Sequence, residues 1–331
     1  MGEPPDRSDT SDTNDTDGGR VFEHRPVMET EIVDALGPCP PGVLVDATLG
    51  GAGHAAALLS AHPHLRLVGL DRDDVALAAA EAVLAPFGDR VTLRRTRFDH
   101  LAHTLQELGH DDISAVLFDL GVSSPQLDVA DRGFSYRHEG PLDMRQDRRQ
   151  ARTAADVVNS YDVGRLSSVL RTYGDERFST RIARAIVAAR PLRTTTELAE
   201  VVRDAIPAAA RRTGGHPAKR TFQAVRIEVN DELSILADSL DQAIDFLAPG
   251  GRCAVLAYHS GEDRIVKERF RVHATGGVDA VPGLPLPADV VPAIRLVRGV
   301  PKTPRAAEVA ANPRAESARL RVAEKLTRRA G

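Results

Sequence analysis

The sequence predicts an α/β protein built on a parallel, doubly wound sheet, and three observations predict it. Short apolar runs alternate with helical patterns between residues 43 and 120. A glycine-rich turn follows the first of those runs. The alternation stops after Ser123 and resumes at about Arg226, so about 100 residues of a different kind interrupt it. Strands spaced this way pair in parallel, because each crossover helix returns the chain to the same end of the sheet.

Taken in order, residues 1–20 (MGEPPDRSDTSDTNDTDGGR) are acidic and almost devoid of apolar side chains, which predicts a disordered tail. Met28–Leu36 has helical spacing and stops at Gly37 and Pro38. Val43–Leu49 reads as a strand, Gly50–Gly53 as a turn, and His54–Ser60 as a helix. Leu65–Leu70 is a second strand, closed by Asp71, and Asp74–Leu84 a helix of Ala, Val and Leu with two acids. Val91–Arg95, Leu101–Leu108 and Ile113–Leu120 continue as strand, helix, strand. From Pro125 to Gln150 the pattern is loop, followed by helices over Val163–Tyr173, Arg177–Ala189 and Thr196–Ala205. Asp231–Leu247 reads as a long amphipathic helix closed by Pro249-Gly250-Gly251, and Cys253–Tyr258 as a strand. Asp263–Arg271 is helical, with last strands over Ile294–Val297 and Ala318–Ala323. The domain reading is therefore a core formed by 21–131 and 228–331, split by a helical insertion over 132–227 between the fourth and fifth strands.

Composition narrows the functional classes. The 331 residues are 42% hydrophobic and 27% charged, enough to bury a core without any Trp. No apolar run approaches the roughly 20 residues of a membrane span, and the N-terminus lacks a secretory pattern. The two cysteines, Cys39 and Cys253, stand alone. That excludes a structural zinc site, predicts no metal, and fits a reduced cytoplasm. The formal charge of −4 hides an asymmetry: residues 132–230 hold 19 Lys+Arg against 11 Asp+Glu, a net of +8. Arg supplies 18 of those cations, which suits bidentate phosphate contact. A solvated Arg-rich helical surface accounts for the same charge equally well.

Asp46-Ala-Thr-Leu-Gly50-Gly51-Ala52-Gly53-His54 lies where a strand turns into its helix. Glycines there admit a ligand close to the backbone, and the helix N-terminus favours partial negative charge. Asp71 ends the next strand, where a carboxylate accepts hydrogen bonds from ribose hydroxyls. The run from Gly51 to Ala56 also satisfies a dinucleotide fingerprint, which does not separate nicotinamide cofactors from S-adenosylmethionine. Asp46 before the glycines, and the polar loop Asp119-Leu-Gly-Val-Ser-Ser-Pro-Gln126 after the fourth strand, favour S-adenosylmethionine. Asp46 as a turn cap and Asp71 as a loop start are the structural alternatives.

With these residues in view, the chain from His24 to Ala323 resembles the RsmH (MraW) family, bacterial 16S rRNA cytosine-N4 methyltransferases. The resemblance is carried by His24-Arg-Pro-Val-Met28, Asp46–His54, Asp119–Leu127, Arg132-Gly-Phe-Ser135 and Gly140-Pro-Leu-Asp-Met-Arg145. It continues in Tyr173–Phe178, Arg220–Arg226, Tyr258–Arg264 and Asn312–Ala315. It implies a Rossmann-like class I methyltransferase with S-adenosylmethionine held by Ala52, Gly53, His54, Asp71, Phe98, Asp119 and Gln126. Asp46 and Gly51 join that set from the spacing argument. The resemblance also implies that the insertion recognises RNA, and that the target is a cytidine of the decoding centre. The partner would be 16S rRNA in the small subunit or a late assembly particle; the oligomeric state stays open. Two departures are Leu49 where many members carry an aromatic residue, and Gly261 where Leu is usual.

N4-methylation needs a group to receive an amino proton. We expect Asp119, or the pair Ser123 and Ser124, in that role, with His259 supporting the base from the neighbouring strand end; the alternatives are cofactor contact alone for Asp119 and a structural hydrogen bond in a tight turn for His259. Arg132, Arg137, Arg145 and Arg220 are the expected phosphate contacts, with solvated surface as the alternative for each. Phe134 and Tyr136 are the aromatics near the loop. The rivals are another methyl acceptor on this fold, a nicotinamide-dependent oxidoreductase, and a non-catalytic RNA-binding module.

Overall fold

The computed structural model describes residues 26–211, 215–279, 286–287 and 289–327, except the side chains of Ser124 and Pro125. The predicted tail over 1–20 and the first two residues of the His24–Met28 motif lie outside these.

The core follows the predicted rhythm. Helix α1 (Glu29–Leu36) leads into β1 (Gly42–Asp46), then α2 (Gly53–Ala61), β2 (Leu65–Asp71), α3 (Asp74–Leu84), β3 (Val91–Arg95), α4 (Leu101–Glu107) and β4 (Ile113–Asp119). The chain between β4 and the next strand is helical among the described residues. It forms α5 (Ser124–Asp128), α6 (Ala154–Ser160), α7 (Val163–Gly174), α8 (Ser179–Ala188), α9 (Thr195–Ala205), α10 (Ala208–Arg211), α11 (Lys219–Asn230) and α12 (Leu236–Phe246). The core then closes with β5 (Leu247–Ala257), α13 (Ser260–Thr275), β6 (Ile294–Leu296), α14 (Ala306–Ala311) and β7 (Arg319–Lys325).

Seven strands form one sheet in the order β3-β2-β1-β4-β5-β7-β6. β1 to β5 are parallel, and β7 lies antiparallel between β5 and β6. The order reverses at β1 and β4, so their carboxyl ends open a crevice at the switch point, where ligands bind in open α/β sheets. One face of the sheet buries Leu44, Leu67, Leu117 and Leu256 under α1 and α2. The other buries Val45, Val68, Phe118 and Val255 under α4, α12 and α13. Alternate residues of each strand serve opposite faces, as the pleat requires. The helices between β4 and β5 pack round a third apolar cluster of their own, including Leu166, Leu170, Ile182, Ile186, Leu198 and Val225.

Two sequence expectations are corrected, and two helices appear that none foresaw. Helix α12 begins at Leu236, because Asp231 (φ 53°) ends α11 in the left-handed region and residues 231–235 form turns. The stretch Pro249–Gly251 is part of β5, with a register shift between Ile113 and Ala115 opposite it. Helices α6 and α11 had no sequence expectation at all, although α11 buries Phe222, Val225 and Val229 at helical spacing in the cluster of the helical segment. No helix among the described residues is long and apolar enough to cross a membrane.

Candidate active site

The strand ends bring the acids together. Asp46 closes β1, with 2% exposure, and accepts the Thr48 amide at 3.1 Å. Burial pushes its pKa up to about 7 against the pull of His54 and the Thr48 amide. Asp71 closes β2; its two oxygens accept the amides of Gly50 and Asp73, each at 2.8 Å. Burial, opposed by those two amides, raises its pKa.

The turn between β1 and α2 is shaped for a close ligand. Gly50 and Ala52 take positive φ (52° and 62°), and a Cβ on Gly51 would meet nothing within 4 Å. A Cβ on Gly53 would press on Pro26 Cγ at 2.6 Å. Helix α2 starts at Gly53 with no side chain capping it, so its first amides face the crevice free to take an acceptor.

Asp119 closes β4 and is held from two sides. Its Oδ1 accepts the Tyr258 hydroxyl at 2.9 Å, and its Oδ2 lies 3.3 Å from His54 Nδ1. Its own amide donates to Thr48 Oγ1 at 2.6 Å. His54 Nε2 lies 2.9 Å from the Val27 carbonyl, so both ring nitrogens face acceptors. Burial alone would lower the imidazole pKa; Asp119 and Val27 outweigh it and the net shift is upward. Burial, then the neighbouring Asp119, holds the Tyr258 phenol far above its usual range, so it stays a donor. Part of the Asp119 carboxylate, 28% exposed, still reaches the crevice.

Other expected residues fall into different settings. Phe98 follows β3 in a short 3₁₀ turn and meets Phe118 edge-on, centroids 5.9 Å apart. Gln126 is buried; its amide donates to Asp73 at 3.0 Å and its oxygen accepts the Ser123 amide at 3.2 Å. Ser123 thus positions Gln126 through its backbone, and the Ser124 side chain lies outside the described residues. His259 is the N-cap of α13: its Nδ1 accepts the amides of Gly261 and Glu262 at 3.2 and 3.3 Å, while Glu262 reaches back to the His259 amide. The ring is 9% exposed, with Nε2 3.1 Å from Glu262 Oε1, and the partner of Asp119 on this strand end is Tyr258.

The four arginines divide. Arg132 is buried and ion-paired with Asp73 at 2.7 Å, with the carbonyls of Arg145 and Gln146 as further acceptors. Arg145 forks onto Asp143 (2.8 and 2.7 Å) and onto the carbonyls of Arg148 and Gln150. Neither presents a free guanidinium to a phosphate. Arg220 is exposed and donates to the Asp175 carbonyl at 2.9 Å, and Arg137 is exposed beside Tyr136.

Sequence reasoning missed Tyr258, Thr48 and Asp73. Asp73 caps α3 through the Val75 amide and accepts both Arg132 and Gln126. An acid one residue ahead of an Ala-rich helix is a legible cap signal. Tyr258 carried none, since its partner is 139 positions away.

The MraW methylase family model matches residues 21–326. Among curated proteins, the chain is 55% identical over 315 residues to the ribosomal RNA small subunit methyltransferase H of Thermobifida fusca, covering 93% of this chain and 95% of that one. It is 51% identical to the protein of that name from Saccharopolyspora erythraea (94% and 96% covered). With the one from Heliobacterium modesticaldum it shares 49% identity (92% and 99% covered). With a strand-end site of this build and a match over nearly its whole length, the chain belongs to the MraW methylase family.

Proposed function

We propose that the protein transfers a methyl group from S-adenosylmethionine to the exocyclic N4 of a cytidine in the decoding centre of 16S ribosomal RNA. The observation that carries the reading is the convergence of Asp46, Asp71 and Asp119 on one crevice, beside an uncapped helix start and a turn open at Gly51. The names of the relatives, which act on small-subunit ribosomal RNA, support the substrate class.

The crevice fits the cofactor residue by residue. The oriented Asp71 carboxylate suits the ribose hydroxyls, Phe98 the adenine, and Asp46 with the α2 amides, Ala52 and Gly53 among them, the methionine end. His54 and Gln126 brace Asp119 and Asp73 around it. When bound, the cofactor supplies an electrophilic methyl group on a sulfonium.

Cytosine's amino nitrogen is a weak nucleophile, because its lone pair is delocalised into the ring. Alignment of nitrogen and methyl in a closed site lowers the barrier by about 7–11 kcal/mol. As nitrogen gains the methyl it becomes cationic and must shed a proton. Asp119 is the acceptor: Tyr258 and His54 hold its carboxylate in place while leaving an edge to the crevice. A covalent C5 route needs a thiolate, and both cysteines are buried away from the strand ends. Burial pushes the Cys253 thiol up within β5 and that of Cys39 to about 11.

In this reading residues 21–131 and 228–331 bind the cofactor, and 132–227 recognise RNA. The target base must leave its stack to reach N4 to the methyl group, and the exposed cations of the helical segment hold the flanking backbone. Ser123 and His259 then act as supports. The test is methyl transfer from labelled S-adenosylmethionine to unmodified small subunits and to naked 16S RNA, followed by nucleoside analysis. Label in N4-methylcytidine is the expected outcome; label in another nucleoside, or none in RNA, rejects the reading.

A further inference from the structure

A second aromatic feature lies on the helical segment. The His216 ring stacks on Tyr136, centroids 4.4 Å apart and planes 12° from parallel. Tyr136 is in turn fixed edge-on by Phe222 (5.7 Å, 83°), which is buried in the helical cluster. The imidazole cannot swing freely: its Nδ1 accepts the Ala218 amide at 3.2 Å, which leaves the proton on Nε2. Yet His216 is exposed. The pair is half of a sandwich, with a rigid ring facing solvent. Burial, then Arg137 and Arg203, lowers the imidazole pKa, so the ring is neutral near pH 7 and serves as a π-face.

The surroundings suit a nucleic-acid strand. Arg137 lies 6.0 Å from the Tyr136 centroid, and Lys219 follows His216 by one helical turn; both are exposed. Among the described residues no carboxylate pairs with either, in contrast to Arg132 and Arg145. Tyr136 stands four residues after Arg132, whose guanidinium is anchored to Asp73 beside the cofactor crevice. Four extended residues span about 14 Å at most, so the Tyr136 Cα lies within about that distance of the Arg132 Cα.

We propose that His216, backed by Tyr136, is a stacking platform for an unpaired nucleobase of the RNA substrate, with Arg137 and Lys219 binding the phosphates on either side. A pre-ordered ring costs little entropy to use, and every base has a π-face to offer it. The inference rests on the RNA reading above and adds a site to it.

The test uses the full-length protein, small subunits and naked 16S RNA at fixed salt. His216→Ala should raise the Kd for RNA by about 5- to 150-fold, the loss of one stacked base, with cofactor Kd within about twofold. His216→Phe should restore binding to within about threefold of wild type. Arg137→Ala and Lys219→Ala should each reduce the log–log salt slope of binding by about one, while His216→Ala leaves the slope alone. The inference is overturned if His216→Ala binds RNA like wild type, if His216→Phe binds as weakly as His216→Ala, or if His216→Ala itself lowers the salt slope. A wild-type protein that neither binds nor methylates RNA overturns the underlying reading as well, and that result is distinct from the other three.

Discussion

Asp119 and Tyr258 sit at the ends of adjacent strands, and the hydroxyl between them is the simplest group to remove. Tyr258→Phe keeps the ring against Gly121 but leaves Oδ1 without its donor. A hydrogen bond to a charged group is worth about 1.5–3 kcal/mol, so kcat should fall about 10- to 150-fold with cofactor affinity retained. An unchanged kcat in single-turnover assays would make the bond structural only. Asp46 carries a pH signature. Its folded pKa, about 7, is above its ordinary 3.8, so the native state holds the proton more tightly and loses stability as pH rises from 3.8 to about 7. The raised His54 imidazole acts in the same direction, its contribution fading as pH climbs through its folded value. Asp46→Asn mimics the protonated acid. Its Tm should match wild type near pH 4 and exceed it above pH 7; a gap that does not change with pH contradicts this assignment. The three strand-end acids were legible because each is a lone carboxylate closing an apolar run. Tyr258 was not, because its role exists only once β4 and β5 pair.

At the scale of elements, His259 is a motif residue for which sequence left two jobs open, and the structure shows the structural one. Sequence put it at a strand end facing the reaction, whereas the structure uses its Nδ1 to cap α13 in a box closed by Glu262. Losing a cap costs about 1 kcal/mol. His259→Ala should therefore lower stability by about that much in urea titrations, and His259→Asn, another good cap, should recover it with turnover intact. If His259→Asn is as stable as wild type but inactive, the imidazole has a chemical role as well. Helix α11 was illegible for a related reason. It packs on α7 and α6, with Arg226 bonded to Glu232 and Asn230 to the carbonyl of Met144, contacts to residues that the local pattern does not show.

For the whole molecule, the charge of the middle segment needs restating. Its +8 remains a fact of composition, yet Arg132, Arg145 and Arg226 are used internally, so fewer cations than the count suggests face a polyanion. Arg132 ties the segment to the core through Asp73, both side chains almost fully buried. Removing one partner of such a pair costs about 3–5 kcal/mol. Arg132→Met should show that loss in denaturant unfolding, together with weaker cofactor binding, since the Asp73 amide orients Asp71. A loss under about 1 kcal/mol would mean that Gln126 alone satisfies Asp73. The parallel sheet itself was readable from alternation; the way the helical segment docks was not, because Arg72–Gln146–Asn230 and Ser260–Asp175 join residues distant in sequence.

The strand order carries a consequence for synthesis. β4 is interior to the sheet, and its neighbour β5 begins about 130 residues later in the chain. At about 5–20 residues per second, a ribosome takes roughly 6–26 s to cover that distance. Throughout, a nascent protein that has assembled β1 to β4 presents an unpaired ladder (Ile113–Phe118), apolar but for Ser114, with its amides and carbonyls open to any passing strand. The helices made in that interval build their own apolar cluster but cover no sheet edge with a strand. A ribosome stalled between residues 120 and 246 should therefore release chains that aggregate; β5, complete at residue 257, covers β4 and leaves its own outer edge to β7 (Arg319–Lys325). Holdase chaperones will bind this protein chiefly while its middle third is being made.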